Sequence, residues 1–507
     1  MENNYLLTLM ILVPLIGGIL LLFIRNERTD LIKYLGLLIS TAAFVISLII
    51  YFGFDTASSE FQFIHRISWI ENLNISYFIG IDGMSMLLVL LTTFITPLTL
   101  ISSWSTIQHK VKEFTFFMLM LEVGMLGVFV ALDLFLFYVF WEAMLIPMYF
   151  IIGIWGGKER IYASIKFFIY TMAGSLLMLV AIIWLAVYAS GVIGYFTTDL
   201  LQLYTIAPDI AKDIQNWMFL AFALSFAIKV PLFPFHTWLP DAHVQAPTAG
   251  SVILAGVLLK MGTYGLLRFN LPLFPEASLN YASIISVLAV IGIIYGALVA
   301  MVQTDMKKLV AYSSVSHLGF VVLGIFAMNQ EAVQGAIIQM INHGLSTGAL
   351  FLLVGVIYER THTREIADYG GIAKIVPFYA FALLFASLSS VGLPGLNGFI
   401  GEFLILLGAF QSTVLDSWWY TVFAASGVIL AAVYLLWMYQ RVALGEVKNS
   451  KMQTLTDMNA REIFVIIPIF IFIVWIGIYP TTFLKVSEKT TEKIIHQIFN
   501  PAKVTLK

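Results

Sequence analysis

The chain contains no cysteine and little charge. Only 11% of its 507 residues are Asp, Glu, Lys or Arg, whereas soluble domains carry about 25%. The missing cysteines exclude disulfides and thiolate-bound zinc or iron–sulfur centres. The low charge, spread over the whole length, excludes a soluble enzyme and a disordered protein. The net charge of −2 gives no basic face, so we expect no nucleic acid as a partner.

Apolar residues make up 60% of the chain and gather in long runs. A membrane-spanning helix needs about 20 mostly apolar residues. No long polar segment separates the runs, so we predict an all-α polytopic membrane protein with about 14 transmembrane helices, forming one membrane domain over residues 1–507. The predicted spans are 5–24, 34–53, 82–104, 114–132, 134–155, 163–190, 214–239, 248–270, 279–301, 309–328, 332–357, 376–411, 417–440 and 462–484.

The distribution of Lys and Arg between loops predicts the orientation. Numbering each loop by the span before it, odd loops hold 17 basic residues and even loops hold three, which are Arg66, Lys212 and Arg268. Basic loops stay in the cytoplasm, so we predict odd loops inside and both termini outside. Five lysines after the last span oppose this rule. They alternate with acidic residues, which is typical of an amphipathic surface segment.

Several titratable residues lie near the middle of predicted spans, where a charge costs about 2.5–3.5 kcal/mol on insertion scales. A single one is often a structural ion pair that joins two helices. Several at similar depth on neighbouring spans favour a function instead. Glu122 is a further buried carboxylate in the fourth span. The candidate site residues are Glu142, Lys229, Lys260, His317, His343 and Glu402.

This set of side chains suits proton movement through hydrocarbon. Burial makes a lysine easier to deprotonate, and a nearby carboxylate reverses that effect, so moving the carboxylate switches the lysine between holding and releasing a proton. Histidine titrates near neutrality and can pass protons through its two ring nitrogens. Water would have to complete such a chain. The small hydroxyls near the histidines are Ser313, Ser314, Ser316, Ser346 and Thr347.

Two predicted spans contain helix breakers next to these residues. Pro231 follows Lys229 in the seventh span, and Pro394 lies among glycines before Glu402 in the twelfth. Irregular backbone at membrane depth is tolerated inside protein or beside a water-filled cavity. Lys229 and Glu402 are also 173 residues apart. We therefore predict two inverted five-helix repeats, spans 4–8 (114–270) and 9–13 (279–440), each with one broken helix (spans 7 and 12).

Six segments carry a resemblance to a known family. We find no phosphate-binding loop, dinucleotide glycine fingerprint or HExxH zinc pattern. The segments instead resemble the antiporter-like membrane subunits of respiratory complex I, and the similarity runs from about residue 78 to residue 440. In some sister subunits the residue at Glu402 is usually lysine. The segments are 78–85, 140–149, 229–243, 258–265, 312–319 and 392–403.

The resemblance implies a role for each site residue. Glu142 and Lys229 would form a pair whose separation sets how readily the lysine releases its proton. Lys260 would be the proton-transfer residue at the centre. His317 and His343 would link it to Glu402 at the exit. The chain would be a translocase subunit of NADH:quinone oxidoreductase in a bacterial inner membrane. It would hold no cofactor or metal itself, because NADH, FMN, iron–sulfur clusters and quinone would belong to other subunits. Its partners would be other membrane-arm subunits, especially sister antiporter-like subunits, and the lipid bilayer.

Three other functions stay open at this stage. A multi-subunit cation/proton antiporter shares these motifs, and a membrane-bound hydrogenase complex is a related option. The third is a membrane scaffold whose buried charges are structural pairs. Glu402 and the 140–149 segment favour the oxidoreductase subunit over the antiporter. A scaffold would be distinguished by variants of Lys229 that change assembly without changing pumping.

Overall fold

The computed structural model describes residues 4–447 and 449–501, apart from the side chains of residues 450 and 451. Lys448, Lys503 and Lys507, which entered the count of basic residues, lie outside the described residues. The described helices are α1 (Leu6–Leu21), α2 (Thr29–Phe52), α3 (Gly83–Ser102), α4 (Val111–Val130), α5 (Leu134–Trp155), α6 (Arg160–Ile193), α7 (Leu200–Ile206), α8 (Lys212–Lys229), α9 (Trp238–Gln245), α10 (Thr248–Leu273), α11 (Pro275–Met301), α12 (Met306–Phe326), α13 (Gln330–Thr361), α14 (Pro377–Val391), α15 (Asn397–Gln411), α16 (Trp419–Ala443), α17 (Ala460–Ile478) and α18 (Thr481–Phe499).

Within the described chain, eleven helices are long and apolar enough to cross a membrane. Each corresponds to one predicted span. Of the remaining three predicted spans, the first is the 16-residue helix α1. The seventh is divided into α8 and α9, and the twelfth into α14 and α15. Helix length therefore supports the polytopic helical fold and does not confirm the number fourteen.

Contacts between loops agree with a chain that crosses at every predicted span. The hydrogen bonds and ion pairs that join two loops connect loops of the same parity throughout the described residues. Trp155 donates to the carbonyl of His109 at 2.9 Å between two odd loops. Arg66 and Asp199 pair at 2.8 Å between two even loops. We refer to these two faces as the odd-loop side and the even-loop side.

The structure is mostly helical as predicted, and it differs from the prediction in the even loop 54–81, which is not only a loop. It forms an antiparallel hairpin of β1 (Gln62–Ile70) and β2 (Ile75–Ile81). Both strands are rich in β-branched and aromatic residues, which favour strands. The predicted amphipathic segment is the helix α18, which packs on the even-loop side. Its buried face carries residues spaced by about one turn: Val486, Thr490, Ile494 and Ile498.

The two predicted helix breaks are present, and α5 contains a third. Helix α8 ends at Lys229, two residues before Pro231. Helix α14 ends at Val391. The next residue, Gly392, has a φ of +84°, which residues other than glycine rarely adopt. In α5 the helix is interrupted at Met144, because Pro147 supplies no N–H group to the carbonyl one turn earlier.

Helix α10 departs from regular α geometry on both sides of Lys260. Residues Leu254–Leu258 and Leu266–Asn270 form π-helical turns, which are frequent at functional sites. Helix α10 is also the most enclosed spanning helix: its most apolar stretch is 100% buried, followed by α12 and α13 at 94%. In α2, α6 and α16 only 28–33% of the residues in the most apolar stretch are buried. The interior between α10, α12 and α13 is thus sealed from lipid.

Candidate functional site

Lys260 lies at the centre of the fold with no exposed surface. Its Nζ contacts the carbonyl oxygen of Ala255, which lies in the preceding π-helical turn. The same Nζ is 2.7 Å from Nδ1 of His343 on α13. An ammonium group has three donors and no acceptor, so a charged Lys260 donates to both partners. The contact between Nζ and Nδ1 gives a proton a direct path from one side chain to the other.

His343 stands between Lys260 and a second histidine. Its ring centroid is 6.1 Å from that of His317 on α12. Nε2 of His343 is buried and has no hydrogen-bond partner in the protein. The two rings are thus neighbours without a hydrogen bond between them. Proton transfer across this gap requires one bridging group, and a water molecule fits that requirement where several polar atoms converge.

His317 is bonded through both ring nitrogens. Its Nδ1 is 2.8 Å from Oε1 of Glu402 on α15, and the Gln339 amide donates to the same oxygen at 3.1 Å. Its Nε2 is 3.2 Å from the hydroxyl of Ser390 and 3.3 Å from that of Tyr434. A hydroxyl can donate or accept. Nε2 is therefore satisfied whether His317 is neutral or protonated.

Glu142 and Lys229 form a separate part of the site. Lys229 is buried at the end of α8, where its Nζ lies 3.7 Å from the sulfur of Met144 and 5.4 Å from the ring centre of Trp141. No ion pair within 4.0 Å joins it to Glu142, although the two charges interact electrostatically. Glu142 is partly exposed, and its Oε1 has no partner. Glu142 and Lys229 are therefore neighbours, as expected, but they do not form an ion pair in this structure.

Two basic residues that the sequence reasoning passed over lie on the odd-loop side of Lys260. His243, inside the 229–243 motif, is fully buried, and neither ring nitrogen has a partner in the protein. It is close enough to Lys260 and Lys307 to interact electrostatically with both side chains. Lys307 was counted as a loop residue, but it is buried in α12 and donates to the carbonyl of Ala246.

Lys307 also lines a cavity of about 560 Å³ on the odd-loop side. Lys158 and Arg364 line the same cavity. Lys307 was missed because the helix begins at Met306, three residues before the predicted span starts at residue 309. The sequence analysis also did not select three uncharged partners, Tyr434, Gln339 and Ser390. Uncharged polar residues are common in membrane helices, and their insertion costs less free energy than that of a charge.

Nothing in the described chain gathers three or more His, Asp or Glu residues close enough to hold a metal ion. The side chains that converge here are an amine, two imidazoles and a carboxylate. Each can take up and release a proton at a defined atom. What the arrangement supports chemically is proton transfer along the line Lys260, His343, His317 and Glu402, which we call the central relay.

Comparison with known families gives the class of protein. Residues 131–431 match the family described as NADH:quinone oxidoreductase/Mrp antiporter, TM. Residues 8–131 match the family described as NADH-ubiquinone oxidoreductase chain 4, amino terminus. The chain therefore belongs to the antiporter-like membrane subunits of the NADH:quinone oxidoreductase and Mrp antiporter family.

Within that family the similarity is to subunit M, also named chain 4. The chain is 50% identical to NADH-quinone oxidoreductase subunit M of Rhodobacter capsulatus, covering 89% of this chain and 87% of the relative. It is 45% identical to NADH-ubiquinone oxidoreductase chain 4 of Arabidopsis thaliana, covering 96% of each. A chain of respiratory complex I from Thermus thermophilus has the same fold, with 32% identity, a TM-score of 0.87 and coverage of 97% and 99%.

Proposed function

We propose that this chain is the subunit-M-type translocase subunit of a bacterial NADH:quinone oxidoreductase and carries protons along the central relay. The observation that supports this most strongly is the direct contact at each end of the relay. Lys260 touches His343, and His317 touches Glu402. Four exchangeable groups in one buried line fit proton transfer better than a set of independent ion pairs.

A proton would enter the relay on the Lys260 ammonium. It would pass from Nζ to Nδ1 of His343 and leave that ring at Nε2. A water molecule would carry it to His317, whose Nδ1 faces the Glu402 carboxylate. Lys229 would be loaded or emptied as Glu142 moves relative to it, because a carboxylate nearby stabilises the ammonium form and its withdrawal does not.

The energy for the cycle would come from electron transfer in other subunits, which would hold NADH, FMN, the iron–sulfur clusters and quinone. This chain would contain no redox centre. Its partners would be the other membrane-arm subunits, especially sister antiporter-like subunits, within a lipid bilayer. We place the odd-loop side in the cytoplasm and both termini outside, because the odd loops hold most of the basic residues.

The inverted repeats 114–270 and 279–440 also remain a proposal. In their favour, each contains one divided helix, formed by α8 and α9 and by α14 and α15. The charged residues occupy different places relative to the breaks: Lys229 ends the first half of its helix, while Glu402 lies in the second half. The positions of the helix breaks therefore do not make these two residues equivalent, and only the divided helices support the repeat.

Replacement of Lys260 by methionine tests the proposed function. Lys260→Met keeps the length of the side chain and removes the proton-carrying group. We expect the complex to assemble and its proton uptake by inverted membrane vesicles to fall at least about tenfold, since a positioned proton-transfer group is typically worth about 10²–10⁴-fold. Lys485→Met, at an exposed lysine of α18, is the control and should pump like the parent.

This experiment and two further measurements separate the alternatives. If Lys260→Met assembles and pumps normally, the central relay is not the path and a scaffold role is favoured. Cation-dependent proton exchange in membranes that lack NADH-driven electron transfer would favour the antiporter complex. Co-purification with hydrogenase subunits would favour the hydrogenase complex. The names of the 45–50% identical relatives support the oxidoreductase.

A further inference from the structure

A second line of polar side chains leaves Lys260 toward the even-loop side. Lys260, Tyr264 and Arg268 are spaced four residues apart on α10 and are all buried, so they lie one above another on one face of the helix. Nε of Arg268 donates to the hydroxyl of Tyr264 at 3.1 Å. The proposed function leaves this line without a role. Arg268, which we had counted with the even loops, lies inside the membrane helix.

The line ends at a buried ion pair. Nη2 of Arg268 is 2.6 Å from Oδ1 of Asp82, and it also donates to the hydroxyl of Ser85 at 3.2 Å. Each side chain of the pair is 3% exposed. The guanidinium carbon lies 4.9 Å from the ring centre of Phe61 and 5.3 Å from that of Tyr264. The guanidinium group is thus enclosed by a carboxylate, a hydroxyl and two rings.

The pair is fixed in place by neighbouring elements. The hydroxyl of Tyr204 on α7 donates to the carbonyl of Arg268 at 2.7 Å. Gly83, the residue after Asp82, donates its N–H to the hydroxyl of Thr490 on α18 at 3.0 Å. A side chain at Gly83 would overlap the carbonyl oxygen of Val486. Helix α18 therefore packs directly on the segment that holds Asp82.

A guanidinium group has no position at which it can take up a further proton. All its hydrogen-bonding positions are N–H donors, and it does not deprotonate in proteins. The hydroxyl of Tyr264 donates to the carbonyl of Phe129 at 3.0 Å and accepts from Arg268. A proton that moved outward from Lys260 past Tyr264 would therefore meet the Arg268 guanidinium group, which has no acceptor position for it. Fixed arginines exclude protons from aquaporin-type pores in the same way.

On the odd-loop side of Lys260, the neighbouring side chains can exchange protons. Toward the odd-loop side lie His243 and Lys307, both able to exchange protons, and then the cavity of about 560 Å³. Lys260 is thus reached from one side through exchangeable groups and closed on the other by a group that does not exchange.

We infer that the Asp82–Arg268 pair is a seal, which prevents protons on Lys260 from escaping directly to the even-loop side and leaves the sideways step to His343 as the route forward. The inference rests on the proposed function, because it treats Lys260 as a proton carrier. It adds a role for Arg268 and Asp82 as positioning residues that block a leak. The two residues neither receive nor release the transported proton.

The test is the passive proton leak of the intact complex in liposomes. We would change both members of the pair, as Asp82→Asn with Arg268→Met, so that no charge is left alone in the core. A pH gradient is imposed without NADH, and its decay is followed with a trapped pH dye at equal complex content. We expect the gradient to decay several-fold faster than with the parent complex.

The control is a second ion pair, partly buried on the odd-loop side. Arg360, near the end of α13, binds Glu462 at 2.7 Å. The double change Arg360→Met with Glu462→Gln removes a similar pair and should leave the leak unchanged. If the Asp82/Arg268 double variant does not assemble, Arg268→Lys replaces it. That variant keeps a cation next to Asp82 but one that can deprotonate, and it should also leak faster than the parent.

A third change shows which path the leak takes. Adding Lys260→Met to the leaking variant should restore the slow decay, because the leak passes through Lys260. A decay equal to that of the parent in an assembled variant would overturn the seal, and so would a leak that Lys260→Met does not suppress. Normal pumping by Lys260→Met alone would instead contradict the proposed function.

Discussion

At the scale of single residues, the cost of burying charge identified most of the site. Lys260, His317, His343 and Glu402 were selected from sequence by their depth in apolar runs, and the structure brings them into one line. Depth could not select their neutral partners. Tyr434 touches His317 in the structure, yet a tyrosine in a membrane helix carries no signal that separates it from ordinary packing.

Tyr434 gives a prediction at this scale. Its hydroxyl and that of Ser390 are the groups that face Nε2 of His317. Tyr434→Phe removes one of them and keeps the ring, so the complex should assemble while proton pumping per NADH oxidised falls several-fold. The measurement is dye quenching in inverted vesicles at matched NADH oxidation rates.

A second buried tyrosine supplies the control for that variant. Tyr379 is 1% exposed, and its hydroxyl has no partner in the protein. Tyr379→Phe should therefore pump like the parent. Equal pumping by Tyr434→Phe and Tyr379→Phe would show that the Tyr434 hydroxyl has no part in proton transfer.

At the scale of helices and strands, hydropathy predicted the spans, and prolines predicted the breaks in the seventh and twelfth. Neither signal could predict the π-helical turns around Lys260, because these turns depend on packing and not on a residue type. The β1–β2 hairpin was missed for a related reason. Its strands have 9 and 7 residues, too few to appear as membrane-spanning runs, so the segment was interpreted as a loop.

The break in α5 underlies a prediction about Glu142. The break at Met144 lies two residues after Glu142, and the carboxylate is held near Lys229 without touching it. Glu142→Gln should lower pumping at least about tenfold, because the buried ammonium of Lys229 loses the charge that stabilises it. Glu142→Asp keeps the charge at a shorter reach and should retain much of the activity. Both are measured as proton uptake per assembled complex.

Glu122 provides the matched control for Glu142. It is a fully buried carboxylate on α4 whose two oxygens have no hydrogen-bond partner in the protein, so no hydrogen bond joins it to the central relay. Glu122→Gln should pump like the parent. If Glu142→Gln also pumps normally, Lys229 does not need this carboxylate, and the switching role of Glu142 is wrong.

At the scale of the whole molecule, the sequence predicted the class of fold because bilayer thickness fixes the length of each span. The sequence analysis did not predict the enclosed centre formed by α10, α12 and α13, although these three helices are less apolar than α2, α6 and α16. The structure separates them: α6 and α16 face outward, while the central relay lies where lipid cannot reach.

The asymmetry between the two faces is also a property of the whole molecule. Exchangeable side chains and a cavity approach Lys260 from the odd-loop side, and the Asp82–Arg268 pair closes the other side. A proton carrier with equal access to both faces would dissipate the gradient. In the proposed function, the sideways line from Lys260 to Glu402 would separate uptake from release, which vectorial transport requires.

The measurement that tests the central claim most directly is the number of protons pumped per NADH oxidised by an assembled Lys260→Arg complex. Arginine keeps the positive charge, but it does not release a proton in proteins. If Lys260 carries protons, this variant should assemble, and its pumping should fall as far as that of Lys260→Met. If Lys260→Arg pumps as many protons per NADH as the parent, Lys260 is a fixed charge and the central relay is not the path.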